Sequence, residues 1–180
     1  MIPLRKMRGM FDPKTRPRDV DGAPKSAFQR ARGFAALDEA LRRHPGHKLF
    51  TVLSIDWSRQ EHRRVYTSSP GSYPCGGAKP IRHSSDFFQR VIAGRSARIC
   101  RNAEECRAAF PDFELIRSLG CESAVNVPIR AGGVTVGSLN LLHERGWYTE
   151  GMLPTLARFA SLAAGLLRAR KRVPLPGRLP

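Results

Sequence analysis

Apolar and polar positions form their clearest pattern in the second half of the chain. Two runs rich in β-branched residues, 119–130 and 134–143, flank the pair Gly132-Gly133. Glycine adopts the positive φ that a tight turn requires, so the pattern predicts a β-hairpin. Both arms are apolar enough to be central strands of a sheet.

Two residues predict local irregularities in these arms. Proline cannot donate a ladder hydrogen bond, so we expect Pro128 at a bulge or at the end of the pairing. Gly137 interrupts an otherwise apolar strand, which indicates that another backbone or a ligand approaches closely there.

Helical periodicity brackets this hairpin and the strands before it. Apolar residues spaced by three and four predict one helix from Ser26 to the Pro45-Gly46 stop and a last helix from about Tyr148 to Arg172. Residues 48–56 predict the first central strand and residues 63–68 its antiparallel partner.

The middle of the chain combines turns with short helices. Residues 69–80 are dense in turn formers, yet contain Tyr73 and Cys75. Three short helices follow, and their predicted caps are Ser85 with Asp86, Asn102 with Glu105, and Asp112.

These patterns together resemble a known family. The run Leu119-Gly120-x-x-Ser123-x-x-x-Val127-Pro128-Ile129, the glycine turn, the run 136–142 (Val-Gly-Ser-Leu-Asn-Leu-Leu) and the following amphipathic helix resemble the second half of a GAF domain. The resemblance covers about Ser26 to Arg170. It implies an α+β fold with a GAF/PAS-like central antiparallel sheet of about six strands, short helices over one face, and the N- and C-terminal helices on the other.

The resemblance also implies a site. Many GAF domains bind a small molecule on one side of the sheet, with ligands as diverse as cyclic nucleotides, bilins, haem and amino acid derivatives, so the family alone does not choose a ligand. The family geometry would line such a pocket with Tyr73, Cys75, Phe87, Phe113, Ile116, Asn126 and Asn140. Polar amides in apolar strands must find partners, and a ligand, neighbouring backbone or water all remain open for Asn126 and Asn140.

Residues that define several ligand classes are missing. Bilin-binding GAF domains carry a Cys-His pair, but Cys75 is followed by glycine and Cys121 by glutamate. The Asn-Lys-x-Phe-x-x-x-Asp-Glu motif of cyclic-nucleotide GAF domains does not occur. The cysteines and histidines show no zinc spacing either, so we predict no cofactor and no metal.

An enzymatic alternative rests on cysteine. Free methionine sulfoxide reductases are GAF proteins that use cysteines, and Cys121 with Cys75 would be the catalytic residues of such an enzyme here. Their Gly-Val-Cys-Gly turn is only faintly echoed by Cys75-Gly76-Gly77. The favoured interpretation treats Cys100, Cys106 and Cys121 as small buried core residues, because free cysteine is among the most buried residue types.

The charge balance adds a third alternative. The 180 residues carry a formal net charge of +16, which attracts polyanions. The basic residues at the end of the last helix are Arg168, Arg170, Lys171 and Arg172. They offer weak, salt-sensitive nucleic-acid contact through phosphates, although no helix-turn-helix or aromatic stacking surface accompanies them. An inert solvated tail is the favoured interpretation.

The remaining composition is that of an ordinary globular protein, with 41% apolar and 26% charged residues. No run approaches the roughly 20 apolar residues of a membrane helix, and no secretory signal precedes the four cysteines. We therefore expect a cytoplasmic protein with free thiols and no membrane contact.

The sequence predicts three segments: a mobile basic arm (1–24), a GAF-like domain (25–172) and a proline-rich tail (173–180). The predicted function is a small-molecule-binding or sensory module without catalytic activity of its own. It would form a homodimer through the terminal helices and signal through a separate partner, because 180 residues leave no room for an output domain.

Overall fold

The computed structural model describes residues 25–168. The helices are α1 (Lys25–Arg43), a π-helical turn (Phe87–Ala93), α2 (Ala103–Ala109), α3 (Phe113–Ser118), a 3-10 turn (Glu150–Met152) and α4 (Leu153–Arg168). The strands are β1 (Leu49–Asp56), β2 (Glu61–Thr67), β3 (Lys79–Pro80), β4 (Arg98–Cys100), β5 (Ser123–Ala131) and β6 (Val134–His143). The predicted arm (1–24), the tail (173–180) and the basic residues Arg170, Lys171 and Arg172 lie outside the described residues.

The six strands form one antiparallel sheet in the order β3-β2-β1-β6-β5-β4. The predicted hairpin is β5 and β6, and it lies inside the sheet between β1 and β4. Its turn uses positive φ at Gly132 (61°) and Gly133 (78°), the backbone conformation that favours glycine. The fold class and the position of the hairpin are therefore as predicted.

The irregularity predicted at Pro128 falls slightly further along the strand. Pro128 pairs in register with Ser138, and the register shifts between Ile129 and Arg130. β4 pairs only with Ala124, Val125 and Asn126, so in the described sheet one edge of β5 is unpaired at Pro128. A missing N–H donor breaks no ladder hydrogen bond at such an edge.

The close approach predicted at Gly137 is present. A Cβ atom built on Gly137 would lie 2.1 Å from the carbonyl oxygen of Leu53 on β1 and 2.7 Å from Cδ1 of Leu167 on α4. Gly137 thus lets α4 and two neighbouring strands pack more closely than any side chain would permit.

The long helices cover one face of the sheet, which we call the long-helix face. α4 packs on β5 and β6, and α1 lies beside α4. Burial of apolar side chains between them is the main stabilising contribution. The buried residues of this core are Phe34, Leu37, Leu41, Phe50, Val52, Val125, Val127, Ile129, Leu139, Leu141, Tyr148, Leu156, Ala160, Ala163, Ala164 and Leu167.

The start of the last helix differs from the prediction. Tyr148 precedes the helical residues and is buried in the core, where its hydroxyl donates a 3.0 Å hydrogen bond to the carbonyl oxygen of Gly46. Helical backbone begins with the 3-10 turn and continues as α4 to Arg168, which is exposed. Within residues 25–168, no helix combines the length and the hydropathy needed to cross a bilayer.

The opposite face is covered by the π-helical turn, α2 and α3, and we call it the short-helix face. Two separate apolar clusters lie there. One contains Leu49, Tyr73, Cys100, Cys106, Phe113, Ile116, Cys121, Ala124 and Leu142. The other contains Ile55, Ile81 and Ile92, with Trp57, Phe87 and Phe88 packed against it. The two layers of helices confirm the predicted architecture.

Candidate functional site

A row of polar residues crosses four strands on the short-helix face. Thr51 of β1 pairs in register with Asn140 of β6, which pairs with Asn126 of β5, which pairs with Arg98 of β4. All four residues are buried. We call these four residues, with the neighbouring Ser138, the polar row. In-register positions of adjacent strands bring side chains on one face into contact, so the row is continuous across the sheet.

Side-chain hydrogen bonds connect the whole row. Nδ2 of Asn140 donates to Oγ1 of Thr51 at 3.2 Å. Oδ1 of Asn140 accepts from Nδ2 of Asn126 at 2.8 Å and from Oγ of Ser138 at 2.9 Å. Oδ1 of Asn126 accepts from Nε of Arg98 at 3.0 Å. The partners of both amides are therefore neighbouring side chains of the row.

Arg98 ends the row at β4. Its side chain is only 5% exposed, and Nη1 lies 3.3 Å from Oδ2 of Asp86. Its guanidinium carbon is 5.6 Å from the ring centroid of Phe87 and 5.3 Å from that of Phe110. The row thus ends in a buried cation near two aromatic rings, a setting in which cation–π attraction is strengthened by desolvation.

The π-helical turn roofs this part of the sheet. It packs against β4, β5 and β6. Oγ1 of Thr135 donates to the carbonyl oxygen of Ile92 at 2.9 Å, which fixes the turn to β6. Ser85 caps the turn by accepting from the N–H of Phe88 at 3.1 Å, whereas Asp86 makes no capping hydrogen bond. The side chain of Asp86 contacts Arg90 and Arg98 instead.

The opposite wall is the cluster around Tyr73. Its hydroxyl donates a 2.6 Å hydrogen bond to Oδ2 of Asp112, and the guanidinium of Arg64 lies 3.8 Å from its ring centroid. Burial, followed by the bond to Asp112, raises the pKa of Tyr73 above its ordinary value, so the phenol is the donor. The loop before β3 is thereby connected to the beginning of α3.

This bond corrects one sequence prediction. Asp112 was expected to cap α3, but its side chain makes no capping hydrogen bond. Tyr73 competes for the carboxylate, and a charged acceptor gains more from a buried phenol than from an exposed backbone donor. Asn102 does cap α2, because its Oδ1 accepts from the N–H of Glu105 at 2.9 Å.

The four cysteines are free, and Cys75 alone among them is exposed. Burial raises the pKa of Cys121 to about 11, and burial also raises the pKa of Cys75. A hydrogen bond with Cys106 lowers the pKa of Cys100 and raises that of Cys106. These shifts favour the protonated form of Cys75 and Cys121, whereas the thiolate is the form that acts as nucleophile and metal ligand.

The structure separates the predicted site residues into four places. Tyr73, Phe113 and Ile116 share one apolar cluster, Phe87 packs against the other, and Asn126 and Asn140 lie in the polar row. Cys75 is exposed and belongs to neither cluster. Within residues 25–168, no group of three His, Cys, Asp or Glu side chains is arranged to hold a metal ion.

Three residues of the row were missed from the sequence: Arg98, Thr51 and Ser138. Thr51 and Ser138 are polar positions in apolar strands, the same signal that identified the two asparagines. Arg98 gave no such signal, because β4 contains only three residues and too short a run shows no period.

A curled antiparallel sheet with long helices behind it and short helices over the other face defines a small GAF/PAS-like α+β domain. The chain belongs to the GAF domain family, whose model matches residues 25–167. No curated protein sequence matches the chain.

Solved structures show the same fold at low sequence identity. The GAF domain of a two-component sensor histidine kinase from Bacillus halodurans is 14% identical, with a TM-score of 0.61 over 76% of this chain and 91% of that one. The GAF domain/HD domain protein from Geobacter sulfurreducens is 12% identical, with a TM-score of 0.63 over 78% and 93%. The free methionine-R-sulfoxide reductase from Neisseria meningitidis in complex with its substrate is 17% identical, with a TM-score of 0.57 over 80% and 78%.

Proposed function

We propose that this protein is a sensory GAF module that binds a small molecule on the short-helix face, over the polar row. The observation that carries this proposal is the alignment of Thr51, Asn140, Asn126 and Arg98 in one register line across four strands. The surrounding apolar contacts would come from the predicted residues Tyr73, Phe87, Phe113 and Ile116. Cys75, on the exposed loop, would contribute at the entrance.

The energetics of burial support this position. A polar row in the middle of a sheet face separates two apolar clusters that would otherwise join. Buried amides and a buried guanidinium contribute little net stability compared with apolar packing, even when they are hydrogen-bonded. Polar groups of this kind provide specificity for a ligand with matching donors and acceptors.

The roof is suited to opening. It consists of short elements and loops, and Phe87, Phe88 and Phe110 remain partly buried rather than fully covered. Short elements with few buried contacts open at lower free energy than the strands beneath them. Ligand binding would then shift the population between open and closed roofs.

A signal would leave through the long helices. α4 packs directly on β5 and β6, the strands that contribute both asparagines of the row. α1 and α4 approach closely, since a Cβ on Gly33 would lie 2.5 Å from Cδ2 of Leu166. Leu162 of α4 is 62% exposed, and we propose that a second copy of the chain covers it in a homodimer. Four free cysteines fit a cytoplasmic setting.

The sensory function is better supported than the reductase alternative. The reductase structures resemble this chain in fold at 14% and 17% identity, and fold alone does not transfer an activity. A catalytic thiol requires a lowered pKa and access to solvent. Cys121 is fully buried with a raised pKa, and the pKa of Cys75 is raised as well.

A thermal-shift panel tests the proposal. The full chain would be screened against amino acid derivatives, nucleotides and aromatic acids, with hits measured by calorimetry. We expect at least one class to raise Tm in the wild type and to lose this effect in Asn140→Leu. Tyr66→Phe is the matched control, because it removes a partly buried hydrogen bond to Asp38 on the long-helix face and should keep the shift. A panel without any response, or a shift that survives in Asn140→Leu, would overturn the proposal.

A further inference from the structure

We infer that the ligand carries a carboxylate on a small apolar body, and that Arg98 is the residue that binds this carboxylate. The inference rests on the proposed function and adds the chemical class of the ligand. It comes from three features of Arg98: its unused donors, its weak acidic partner and the two aromatic rings near its guanidinium.

The guanidinium retains hydrogen-bonding capacity. Arginine presents five N–H donors in a planar fork. Nε of Arg98 donates to Asn126 and Nη1 contacts Asp86, whereas no residue among those described accepts from Nη2. The side chain is only 5% exposed, yet Nη2 is not one of the fully buried atoms that lack a partner, so this donor stays open to an acceptor that arrives from outside. A ligand acceptor at Nη1 and Nη2 would complete the set.

Asp86 is a weak partner for this cation. Its side chain is 56% exposed and lies 3.3 Å from Nη1 of Arg98, longer than the roughly 2.8 Å of a typical charge-assisted hydrogen bond. Its other oxygen lies 3.0 Å from Nε of Arg90. A buried cation is stabilised best by a close, bidentate carboxylate. We therefore interpret Asp86 as a weak substitute for a ligand carboxylate at Nη1 of Arg98.

The rings of Phe87 and Phe110 indicate the rest of the ligand. Both lie within 6 Å of the guanidinium carbon, and each belongs to the margin of a different apolar cluster. Whatever binds next to Arg98 is therefore flanked by apolar surface. Favourable burial of an aromatic or aliphatic body would accompany the pairing of its carboxylate with the guanidinium.

The site favours a carboxylate over a phosphate. A phosphate carries a charge near −2 at neutral pH, and proteins match it with several cations or with helix N-terminal N–H groups. The polar row, all of which lies within the described residues, contains one guanidinium. One planar fork and one monoanionic, planar carboxylate are matched in charge and geometry.

The experiment compares acids with their amides by isothermal calorimetry on the full chain. The probes are benzoate, phenylacetate and 3-phenylpropionate, the corresponding uncharged amides, and inorganic phosphate. We expect at least one acid to bind roughly tenfold or more tightly than its amide, the discrimination that loss of a charge-assisted hydrogen bond produces. We expect phosphate not to compete with it.

Three variants identify the residue. Arg98→Gln should raise the Kd of the acid by roughly tenfold or more and leave the Kd of the amide unchanged. Asp86→Asn should lower the Kd of the acid by roughly two- to fivefold, because it removes the half-exposed carboxylate that competes for Arg98. The substitution removes no helix cap, since the Asp86 side chain makes no capping hydrogen bond. Arg130→Gln changes an exposed arginine of β5 and should bind like the wild type. If Arg98→Gln does not fold, Asp86→Asn alone still tests the sign of the effect.

The outcomes separate this inference from the function on which it rests. The carboxylate assignment would be overturned if the amides bound as tightly as the acids. It would also be overturned if an acid had the same Kd for the wild type, Arg98→Gln and Asp86→Asn. In both cases the sensory function would stand. The same holds if these acids fail while another class in the thermal-shift panel binds. If no probe of either experiment binds, both the function and the inference fail.

Discussion

Gly137 of β6 lies so close to the carbonyl oxygen of Leu53 on β1 that an added Cβ would be 2.1 Å away. The nearest obstacle is backbone, which cannot rotate out of the way as a side chain can. We therefore expect Gly137→Ala to lower the free energy of unfolding by roughly 2–3 kcal/mol or more, the cost of overpacking a core. The measurement is the urea midpoint with an unchanged m-value.

Gly165 provides the matched control for Gly137. It lies in α4, and a Cβ built there meets no atom within 4 Å. Gly165→Ala should stabilise the protein by up to about 1 kcal/mol, because alanine favours a helix over glycine. Equal midpoints for the two variants would show that the sheet relaxes around Gly137, contrary to the packing argument.

The hairpin shows what the sequence could and could not predict. The strands, their central place and the turn followed from β-branched runs and two glycines, because these are local signals. The pairing of Asn126 with Asn140 did not follow. Counting outward from the turn, Asn126 would oppose Leu139, and the bulge after Ile129 shifts the register by one residue. A one-residue slip changes which side chains meet, and the sequence predicted an irregularity at Pro128 rather than this shift between Ile129 and Arg130.

The remainder of the site depended on distant contacts. Arg98 and Asp86 are separated by twelve positions and meet only because the π-helical turn folds over β4. Tyr73 and Asp112 are separated by 39 positions, and their bond replaces the local cap that the sequence predicted. Local propensity identifies such residues as turn or cap formers, and only the tertiary fold assigns their partners.

The Tyr73–Asp112 bond predicts the stability of the loop before β3. Tyr73→Phe keeps the ring in its cluster and removes the 2.6 Å donor to Asp112, at an expected cost of about 1.5–3 kcal/mol for a hydrogen bond to a charged group. We expect faster amide exchange in residues 69–80. Tyr148→Phe removes a phenol hydrogen bond to the carbonyl oxygen of Gly46 on the opposite face and should leave exchange in this loop unchanged. Loop exchange that is identical in the wild type and Tyr73→Phe would contradict the assignment.

His47 predicts how stability depends on pH. Its side chain is fully buried, and its Nε2 lies 3.0 Å from Oδ1 of Asp38, while Nδ1 has no hydrogen-bond partner. Burial lowers the pKa of His47 below 6.5, although the bonds to Asp38 oppose this shift. The folded state therefore prefers neutral imidazole. Its contribution to stability is complete above the unfolded pKa of about 6.5 and is lost as the pH falls from there towards the folded pKa.

Urea denaturation between pH 7.5 and pH 5 checks this sign. We expect stability to fall with decreasing pH in the wild type and to fall less steeply in His47→Gln. Burial also lowers the pKa of His62 and of His143, so part of the slope should persist. His44→Gln, at an exposed position close by in the chain, should retain the full slope. A slope that His47→Gln leaves unaltered would assign the pH dependence to the other histidines.

Leu162 tests the proposed homodimer. It is 62% exposed on α4, and Leu115 on α3, at 44%, is the other large apolar side chain that the described residues leave exposed. A two-fold dimer buries the same residue from both copies, and each buried leucine contributes about 1.5–3 kcal/mol. Leu162→Glu places two charges in that interface and should raise the dimer Kd by roughly a hundredfold or more. Sedimentation velocity over a concentration series measures this change.

Leu115→Glu, a matched substitution on the short-helix face, should sediment like the wild type. A dimer that tolerates Leu162→Glu and dissociates in Leu115→Glu would move the interface to the short-helix face.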